Sequence, residues 1–548
     1  MVRLFYCVTF LVSGALAQAP EPKFEAVEIH ISPHTAQPVV RGPFFGGNRY
    51  ELHFANMLDL IRMAYDMDPE RISGGPSWIE MDRYDVYAIV PPGSTAASRR
   101  LMLRAMLADR FKLTIRDDKK PLPAYVLTVG KHGGLKEADG SGETGCNFSA
   151  GNNPPPNPGG PIQLPIFTYT CHNTTMATFA SGLLAIPGAQ GYLSNKPVTD
   201  QTGLKGAFDF ALKFTPKVPA GFAVTGENLP FPDALEKLGL KLETSTIPLP
   251  VIVVTNVNEK PTANPPNALP AVPTEFEVAD LKPSAPTNGG RGPGPPDIKN
   301  GRLYVPGITV KNLIMIGWDL NGDDLLSGAP KWLDDDRYDL LAKAPADVAL
   351  GDLNPQARGA VPVNIDALRP MIRSLVIERF QMTSHTEDRP VNTYLLTAVK
   401  PKLTKADPTE RSKWQEGSTD DAKNNKNLNA SLGRMVICTN VTMAQFADML
   451  PTIASGYVRT KVQDNTNLEG GWDFAFSFSP AGALQARGPR GGGDGAAAGS
   501  GIPEASEPNN AISLFEAISK QLGLKLETVK RPLPVLVIDR IERKPTEN

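Results

Sequence analysis

The first hundred residues alternate between two hydrophobic periods, which predicts a small domain built from helices and strands. Apolar residues recur at helical spacing in 56–65 and again in 99–111, where Arg and Asp occupy the opposite face. Between these two segments, apolar and polar positions alternate from Tyr84 to Ala88, which is typical of a half-buried strand.

Two prolines predict a tight turn after the second helix. Pro121 and Pro123 separate the strand-like segments 112–116 and 124–129. Proline is tolerated in a turn but cannot donate to a strand ladder, so we predict a hairpin here. The predicted module is therefore β-α-β-α-β-β, with helices packed on a mostly antiparallel sheet, and the fold class is α+β.

Long stretches of the first half of the chain recur in the second half. ISGGPSWIEMDRYDVYA at 72–88 matches LSGAPKWLDDDRYDLLA at 326–342. LGLKLETSTIPLPVIVV at 238–254 matches LGLKLETVKRPLPVLVI at 522–538, and both copies close on a Lys-Pro-Thr-x-Asn tail. Such self-similarity indicates two tandem copies of one unit.

Each copy itself contains two related halves, because an aromatic residue followed by aspartate opens a strand at four places. The pairs are Tyr84-Asp85, Phe208-Asp209, Tyr338-Asp339 and Trp472-Asp473. We predict four modules, at 24–131, 166–259, 276–400 and 434–546. Flexible or extended linkers are predicted from Pro and Gly content at 136–165, 260–275, 283–299 and 481–510.

The N-terminus has the pattern of an export signal. Arg3 precedes an apolar run from Leu4 to Leu16, and Ala15-Leu16-Ala17 fits a cleavage site, so 1–17 is predicted as a signal peptide. A buried N-terminal strand or helix is the alternative. No later apolar run is long enough to span a membrane, so a secreted or periplasmic chain without a transmembrane segment is expected after cleavage.

Charge and cysteine content narrow the function classes. With 56 Lys+Arg against 58 Asp+Glu, the chain lacks the basic surface that a nucleic-acid partner requires.

Cys146 and Cys171 flank a Pro- and Gly-rich segment, and an exported protein can keep a disulfide between them. Two free thiols are the alternative, and Cys438 is left over in either case.

Motif searches reveal no duplicated catalytic or metal-binding signature. None of the six histidines has a histidine at the matched position of the other copy, and neither H-E-x-x-H nor G-x-S-x-G occurs. We therefore predict no catalytic residues, no metal site and no cofactor.

The best candidate binding cluster occurs once in each copy. It comprises Trp78, Asp82 and Arg83 in copy 1, and Trp332, Asp336 and Arg337 in copy 2. Asp82 and Asp85 would point to opposite faces of one strand, which argues against a facing carboxylate pair. A folding role for the cluster is favoured, with Arg83 paired to a neighbouring acid. The tryptophans either pack under their turns or form exposed platforms for a sugar or peptide.

These motifs resemble a soil-associated bacterial protein family of unknown function. The resemblance rests on FEVADLKPS at 276–284, the S-G-x-P-x-W-x-x-x-D-R-Y-D segment, N-V-T-M at 440–443 and the G-L-K-L-E end. It implies two family units in tandem behind a signal peptide, and it supplies no site residues. Copy 2 departs from this pattern at two places. Pro306-Gly307 interrupts its early strand, and His385 stands where copy 1 has Arg116.

The expected function is a non-catalytic binding or interaction module of the cell envelope, with an unidentified glycan or peptide ligand. The alternative is an exported hydrolase of polysaccharide or peptide that uses Asp82 or Asp336. That alternative requires one of these acids to lie in a cleft beside a second carboxylate. A self-associating surface protein is a third hypothesis.

Overall fold

The structure, a computed structural model, divides the chain into two compact units that differ from the two sequence copies. Residues 1–116 and 253–548 form the larger unit, and 117–252 form the smaller one. The structure describes residues 21–33, 39–130, 135–151, 162–193, 196–217, 224–225, 227–266, 268–284, 296–299, 301–348, 350, 363–481 and 511–546. The predicted signal peptide and almost all of 481–510 lie outside these residues.

The first module of copy 1 is a four-stranded antiparallel sheet with two helices packed on it. Its elements are β1 (Ala26–Ile31), β2 (Arg41–Gly46), β3 (Arg49–Asn56), α1 (Met57–Tyr65), β4 (Ile72–Gly74), β5 (Arg83–Ile89) and α2 (Ala96–Arg110). The sheet order is β1-β5-β3-β2. The apolar faces of α1 and α2 bury Leu60, Ile61, Met106 and Leu107 against Tyr84 and Val86 of the sheet.

The predicted linker 260–275 closes this first module. Arg110 donates to the carbonyl oxygen of Thr262 at 2.6 Å. The Asn264 side-chain amide pairs with the backbone of Ile29 in both directions, each at 2.9 Å. We call residues 257–266 and 268–271 the strap. The strap belongs to the folded module, because these bonds fix it.

The smaller unit is the second module of copy 1. Elements in chain order are β6 (Thr114–Val129), β7 (Lys136–Glu137), β8 (Gly145–Ala150), β9 (Ile162–Gln163), β10 (Phe167–Thr174), α3 (Met176–Gly182), α4 (Gln190–Leu193), β11 (Val198–Asp200), β12 (Phe208–Phe214), β13 (Val224–Thr225), α5 (Phe231–Lys237) and β14 (Leu240–Asn256). Its sheet order is β7-β12-β10-β8. Cys146 and Cys171 stand opposite each other on β8 and β10 and form a disulfide, so part of the predicted linker 136–165 is strand.

Copy 2 repeats both sheets. Its elements are β15 (Val278–Pro283), β16 (Asp297–Lys299), β17 (Arg302–Thr309), α6 (Val310–Gly317), β18 (Leu326–Ser327), α7 (Trp332–Asp335), β19 (Arg337–Lys343), α8 (Ile365–Arg379), β20 (Thr383–Ala398), β21 (Thr404–Lys405), β22 (Lys413–Glu416), α9 (Thr419–Asn424), β23 (Arg434–Val441), α10 (Met443–Ile453), β24 (Val462–Asp464), β25 (Trp472–Phe478), α11 (Leu514–Ala517) and β26 (Leu524–Arg540). The sheet orders are β15-β19-β17-β16 and β21-β25-β23-β22. These orders match those of copy 1, so the α+β fold and its tandem repetition are confirmed.

The predicted proline hairpins are wrong, because the strands run straight through their prolines. β6 is continuous from Thr114 to Val129, and β20 pairs antiparallel with β26 over its whole length. Pro390 stands directly opposite Pro532 in this pair. In an antiparallel ladder every second pair exchanges no N–H bonds, so prolines at such a pair remove none. The sequence argument assumed that every strand position needs its N–H.

The first modules of the two copies contact each other through polar groups. The Asn364 side chain donates to the Glu51 carboxylate at 2.8 Å, and both residues are buried. Arg41 forms an ion pair with Asp366 at 2.8 Å.

Among the described residues, no helix is long and apolar enough to cross a membrane.

Candidate functional site

Each of the four aromatic-Asp pairs supports a β-bulge in the neighbouring strand. In every module a carboxylate oxygen accepts the backbone N–H of the bulge residue at 2.8 Å. The donors are Phe54, Asn173, Gly307 and Asn440, and the acceptors are Asp85, Asp209, Asp339 and Asp473 respectively. All four donors have positive φ, and a helix N-cap follows two residues later. The aspartates therefore hold the strand-to-helix turn.

Arg83 and Arg337 hold the same bulges from the other side. Arg83 donates to the carbonyl oxygen of Phe54 at 2.7 Å, and Arg337 donates to that of Gly307 at 2.9 Å. Burial lowers the pKa of Arg83, and the Asp59 carboxylate opposes that shift. The main partner of each guanidinium is thus a carbonyl oxygen rather than the acid that we expected.

Trp78 and Trp332 both pack against the apolar core next to their turns. Both side chains are half-buried against the core of their own module, and the Trp332 ring lies 6.4 Å from that of Phe380. The preceding turns place Gly74 and Gly328 at φ +71°. A Cβ on Gly74 would lie 2.6 Å from a carbonyl oxygen, so only glycine fits.

The two predicted acids of the cluster have opposite environments. Asp336 forms a two-pronged ion pair with Arg543, at 2.7 and 2.9 Å, and this bonding lowers the pKa of Asp336. In copy 1 the residue at the position of Arg543 is Glu259, as the aligned Lys-Pro-Thr tails show. Tyr84 donates to the Glu259 carbonyl oxygen as Tyr338 does to that of Arg543, which fixes this correspondence.

Asp82 therefore faces a second carboxyl group instead of a cation. Burial, a hydrogen bond with Glu259 and the charge of Glu259 together raise the pKa of Asp82 to about 6. Among the described residues, neither carboxyl group has an ion-pair partner. A carboxylate charge beside another carboxyl group disfavours the ionisation of that group, so the neighbouring Glu259 adds to the effect of burial on Asp82.

This carboxyl pair lies in a cavity of about 540 Å³, which we call the acidic groove. The first module of copy 1 and the second module of copy 2 both line it. Its acidic residues are Asp59, Glu80, Asp82, Glu259 and Asp448, against Arg83 and Lys260 as bases. Its apolar residues are Ile31, Val39, Val40, Met81, Tyr84, Trp414 and Met449. The groove thus combines excess negative charge with an apolar wall.

Direct contacts hold the two walls of the acidic groove together. Arg411 donates to the carbonyl oxygen of Gly74 at 2.6 Å and pairs with Glu80 at 3.3 Å. The Ser412 N–H donates to the carbonyl oxygen of Ser77 at 3.0 Å. Met81 packs against the apolar core of the second module of copy 2. The groove is therefore built into the larger unit.

Sequence reasoning found Asp82 and Arg83 but missed Glu259 and Trp414. The signal for Glu259 was present, because the aligned tails carry opposite charges at that position. Trp414 stands opposite Cys438 in the strand pair, where copy 1 has the Cys146–Cys171 disulfide. Cys438 is buried, and burial raises its thiol pKa.

Within the part of the chain that the structure describes, no three His, Cys, Asp or Glu side chains form a group that could hold a metal ion. The polar chemistry of the acidic groove is that of paired carboxyl groups beside apolar surface.

Comparison with family models identifies the chain. A family described as "Protein of unknown function (DUF3738)" matches twice, at residues 58–257 and 311–541. The chain belongs to this family. The two matches confirm two tandem units of an uncharacterised family, as the motifs predicted. No curated protein and no solved structure matches the chain.

Proposed function

We propose that this member of the DUF3738 family is an exported, non-catalytic binding protein, and that its acidic groove binds a peptide segment carrying an amine. The observation that carries the proposal is that Glu259 of copy 1 stands where copy 2 has Arg543, opposite an aspartate that both copies contain. In copy 2 the chain supplies the cation itself. In copy 1 that place is open to a cation from outside.

The lining of the groove supports a peptide. An ammonium group would be held between Asp82 and Glu259, where its charge favours ionisation of the Asp82 carboxyl group. Met81, Met449 and Trp414 offer apolar surface to neighbouring side chains of the peptide, and apolar lining of this kind is typical of ligand sites. Export is supported by the predicted signal peptide and by the disulfide in the smaller unit.

A peptide mixture with one variable group tests the proposal. The probe is a set of N-acetylated tripeptide amides with lysine in the centre and all residues at both flanks. The matched set has norleucine in the centre. At pH 7.5 we expect the protein to retain lysine peptides at least about ten-fold better, as one charge-assisted contact provides. Equal retention of both sets, or retention of neither, would refute it.

Two variants locate the binding in the groove. Glu259→Arg restores the pairing of copy 2 and should abolish the lysine preference. Asp336→Asn alters the equivalent acid of copy 2 and should leave it intact, because Asp336 already has its partner. Lysine selectivity that survives Glu259→Arg would place the site elsewhere.

A peptide hydrolase is the second candidate, because Asp82 and Glu259 line one cleft and the pKa of Asp82 is raised to about 6. Such a pair can hold and polarise a water molecule, one carboxylate acting as base and the other as acid. A glycosidase is disfavoured, since its carboxyl groups stand roughly 5 Å or more apart to leave room for the sugar. Asp336 is disfavoured as well, because Arg543 neutralises it. Incubation with the lysine peptide mixture distinguishes the candidates, since intact peptides after prolonged incubation favour binding alone.

A further inference from the structure

A second cavity in the larger unit lies apart from the acidic groove, between the β2–β3 hairpin and the two helices of the first module. Its volume is about 460 Å³, within the range of small-molecule sites. Phe45 and Tyr50 line one side. Arg62 of α1 and both Arg99 and Arg100 of α2 line the other.

The cavity concentrates hydrogen-bond donors. The Tyr50 side chain is 2 % exposed, and its hydroxyl has no hydrogen-bond partner. Arg99 lies with its guanidinium 4.6 Å from the centre of the Phe45 ring and donates to the Ser94 carbonyl oxygen. A buried hydroxyl without a partner is costly, so a ligand that accepts its hydrogen bond would be stabilised.

The charge of the lining favours an anion. The three arginines face two aspartates, Asp66 and Asp68, both of which are exposed. Arg100 pairs with Asp66 at 3.0 Å, and Arg62 lies 3.7 Å from Asp59. Ala96, the first residue of α2, also lines the cavity, and the positive end of the helix dipole therefore adds to the attraction for an anion.

In copy 2, apolar side chains of the chain itself stand at the positions that correspond to this cavity. Strand register and helix ends align Phe45, Tyr50, Arg62 and Arg99 with Ile298, Leu303, Met315 and Leu368. There Ile298, Leu303 and Leu368 belong to one buried apolar cluster with Val348 and Leu350, from the chain between β19 and α8. The pair Arg100–Asp66 is kept as Arg369–Asp319.

We propose that this cavity of copy 1 binds a small organic oxyanion, a carboxylate or phosphate monoester, with a flat apolar body. The oxyanion would take its hydrogen bonds from Arg62, Arg99 and the Tyr50 hydroxyl, since guanidinium forks match such groups. The body would lie in the apolar remainder beside Phe45 and Leu103. In copy 2 the chain's own apolar residues occupy the corresponding place.

Calorimetric titration of the purified protein tests this site. The ligands are phenyl phosphate, benzoate, inorganic phosphate and neutral benzyl alcohol. We expect phenyl phosphate or benzoate to bind with a dissociation constant of about 1 mM or tighter, and the better of the two identifies the oxyanion. Inorganic phosphate and benzyl alcohol should bind at least about ten-fold more weakly. Equal binding of inorganic phosphate would overturn the apolar half of the proposal, and absence of binding would overturn all of it.

The double variant introduces the residues that copy 2 has at the matched positions, which the same fold tolerates there. The double variant Arg62→Met, Arg99→Leu should reduce affinity at least about ten-fold, and Tyr50→Phe should reduce it a few-fold while the protein stays folded. Arg540→Met removes an exposed arginine elsewhere and should change nothing. Binding that the double variant retains would refute the site. Asp82→Asn leaves this binding intact, so the test is independent of the acidic groove.

Discussion

The carboxyl group of Glu259 faces that of Asp82 and, after burial, contributes to raising the pKa of Asp82 to about 6. The corresponding acid of copy 2 is paired with an arginine instead. The two copies of the fold thus contain the same aspartate with opposite partners, an acid in copy 1 and a base in copy 2. A substitution in one copy can therefore be compared with the equivalent substitution in the other.

Replacing the acid opposite Asp82 by a base should lower the pKa of Asp82. Glu259→Arg should bring the pKa of Asp82 from about 6 to below its ordinary value of 3.8, because a facing guanidinium stabilises the carboxylate. Carboxyl carbon NMR during a pH titration measures this. The reciprocal variant, Arg543→Glu, should raise the pKa of Asp336. An Asp82 pKa that does not respond to Glu259→Arg would contradict the pairing.

Stability should fall with rising pH where Asp82 loses its proton. Its folded-state pKa is raised from 3.8 to about 6, so the protonated form favours the folded state. This contribution is fully present below pH 3.8 and is lost as pH rises through about 6. Because Asp82 is half-buried, solvent screening limits it to about 1 kcal/mol. Urea unfolding from pH 4 to 7 should show the loss in the native protein and a flatter profile in Asp82→Asn.

Removing a bulge aspartate should destabilise the larger unit. Asp85→Ala takes away the acceptor for the Phe54 N–H and for the Ser32 hydroxyl. The first of these donors is then left buried without a partner, and we expect a loss of about 2 kcal/mol. Asp85→Asn keeps an acceptor oxygen and should cost about half as much. Urea unfolding monitors both, with the exposed Glu70→Ala as control. Equal stability of all three variants would rule out a folding role for Asp85.

Substitution of Gly74 in its tight turn should destabilise the protein more than substitution of Gly93, which has a similar φ but lies in open space. Gly74→Ala places a Cβ 2.6 Å from the Val254 carbonyl oxygen, at φ +71°. Gly93 has φ +75° with no atom within 4 Å of such a Cβ. We expect Gly93→Ala to cost about 1 kcal/mol and Gly74→Ala about 3 kcal/mol, since the latter adds a steric clash. Thermal unfolding of the two variants gives the difference directly.

Much of the fold was visible in the sequence because its periodicity records which residues are buried. The alternation around Tyr84 and the spacing of α2 gave the strand, the helix and their repetition. The bulge was not visible, since Phe54 has the side chain of a strand residue although its φ is +56°. Asn173 and Asn440 at the matched positions tolerate that angle and hint at it only after alignment.

The candidate site was only half visible for a different reason. Asp82 stood out within a repeated motif, whereas Glu259 is notable only as a change from Arg543. Trp414 reaches the acidic groove because the second module of copy 2 packs on the first module of copy 1. Such long-range packing is set by the summed surface of both modules, which no local pattern encodes.

The strap has a consequence for synthesis on the ribosome. Tyr84, Arg110 and Ile29 all bond to residues from Glu259 to Asn264, while the whole smaller unit intervenes in the chain. The hydrogen bonds that complete the N-terminal module can therefore form only after the whole smaller unit has been translated.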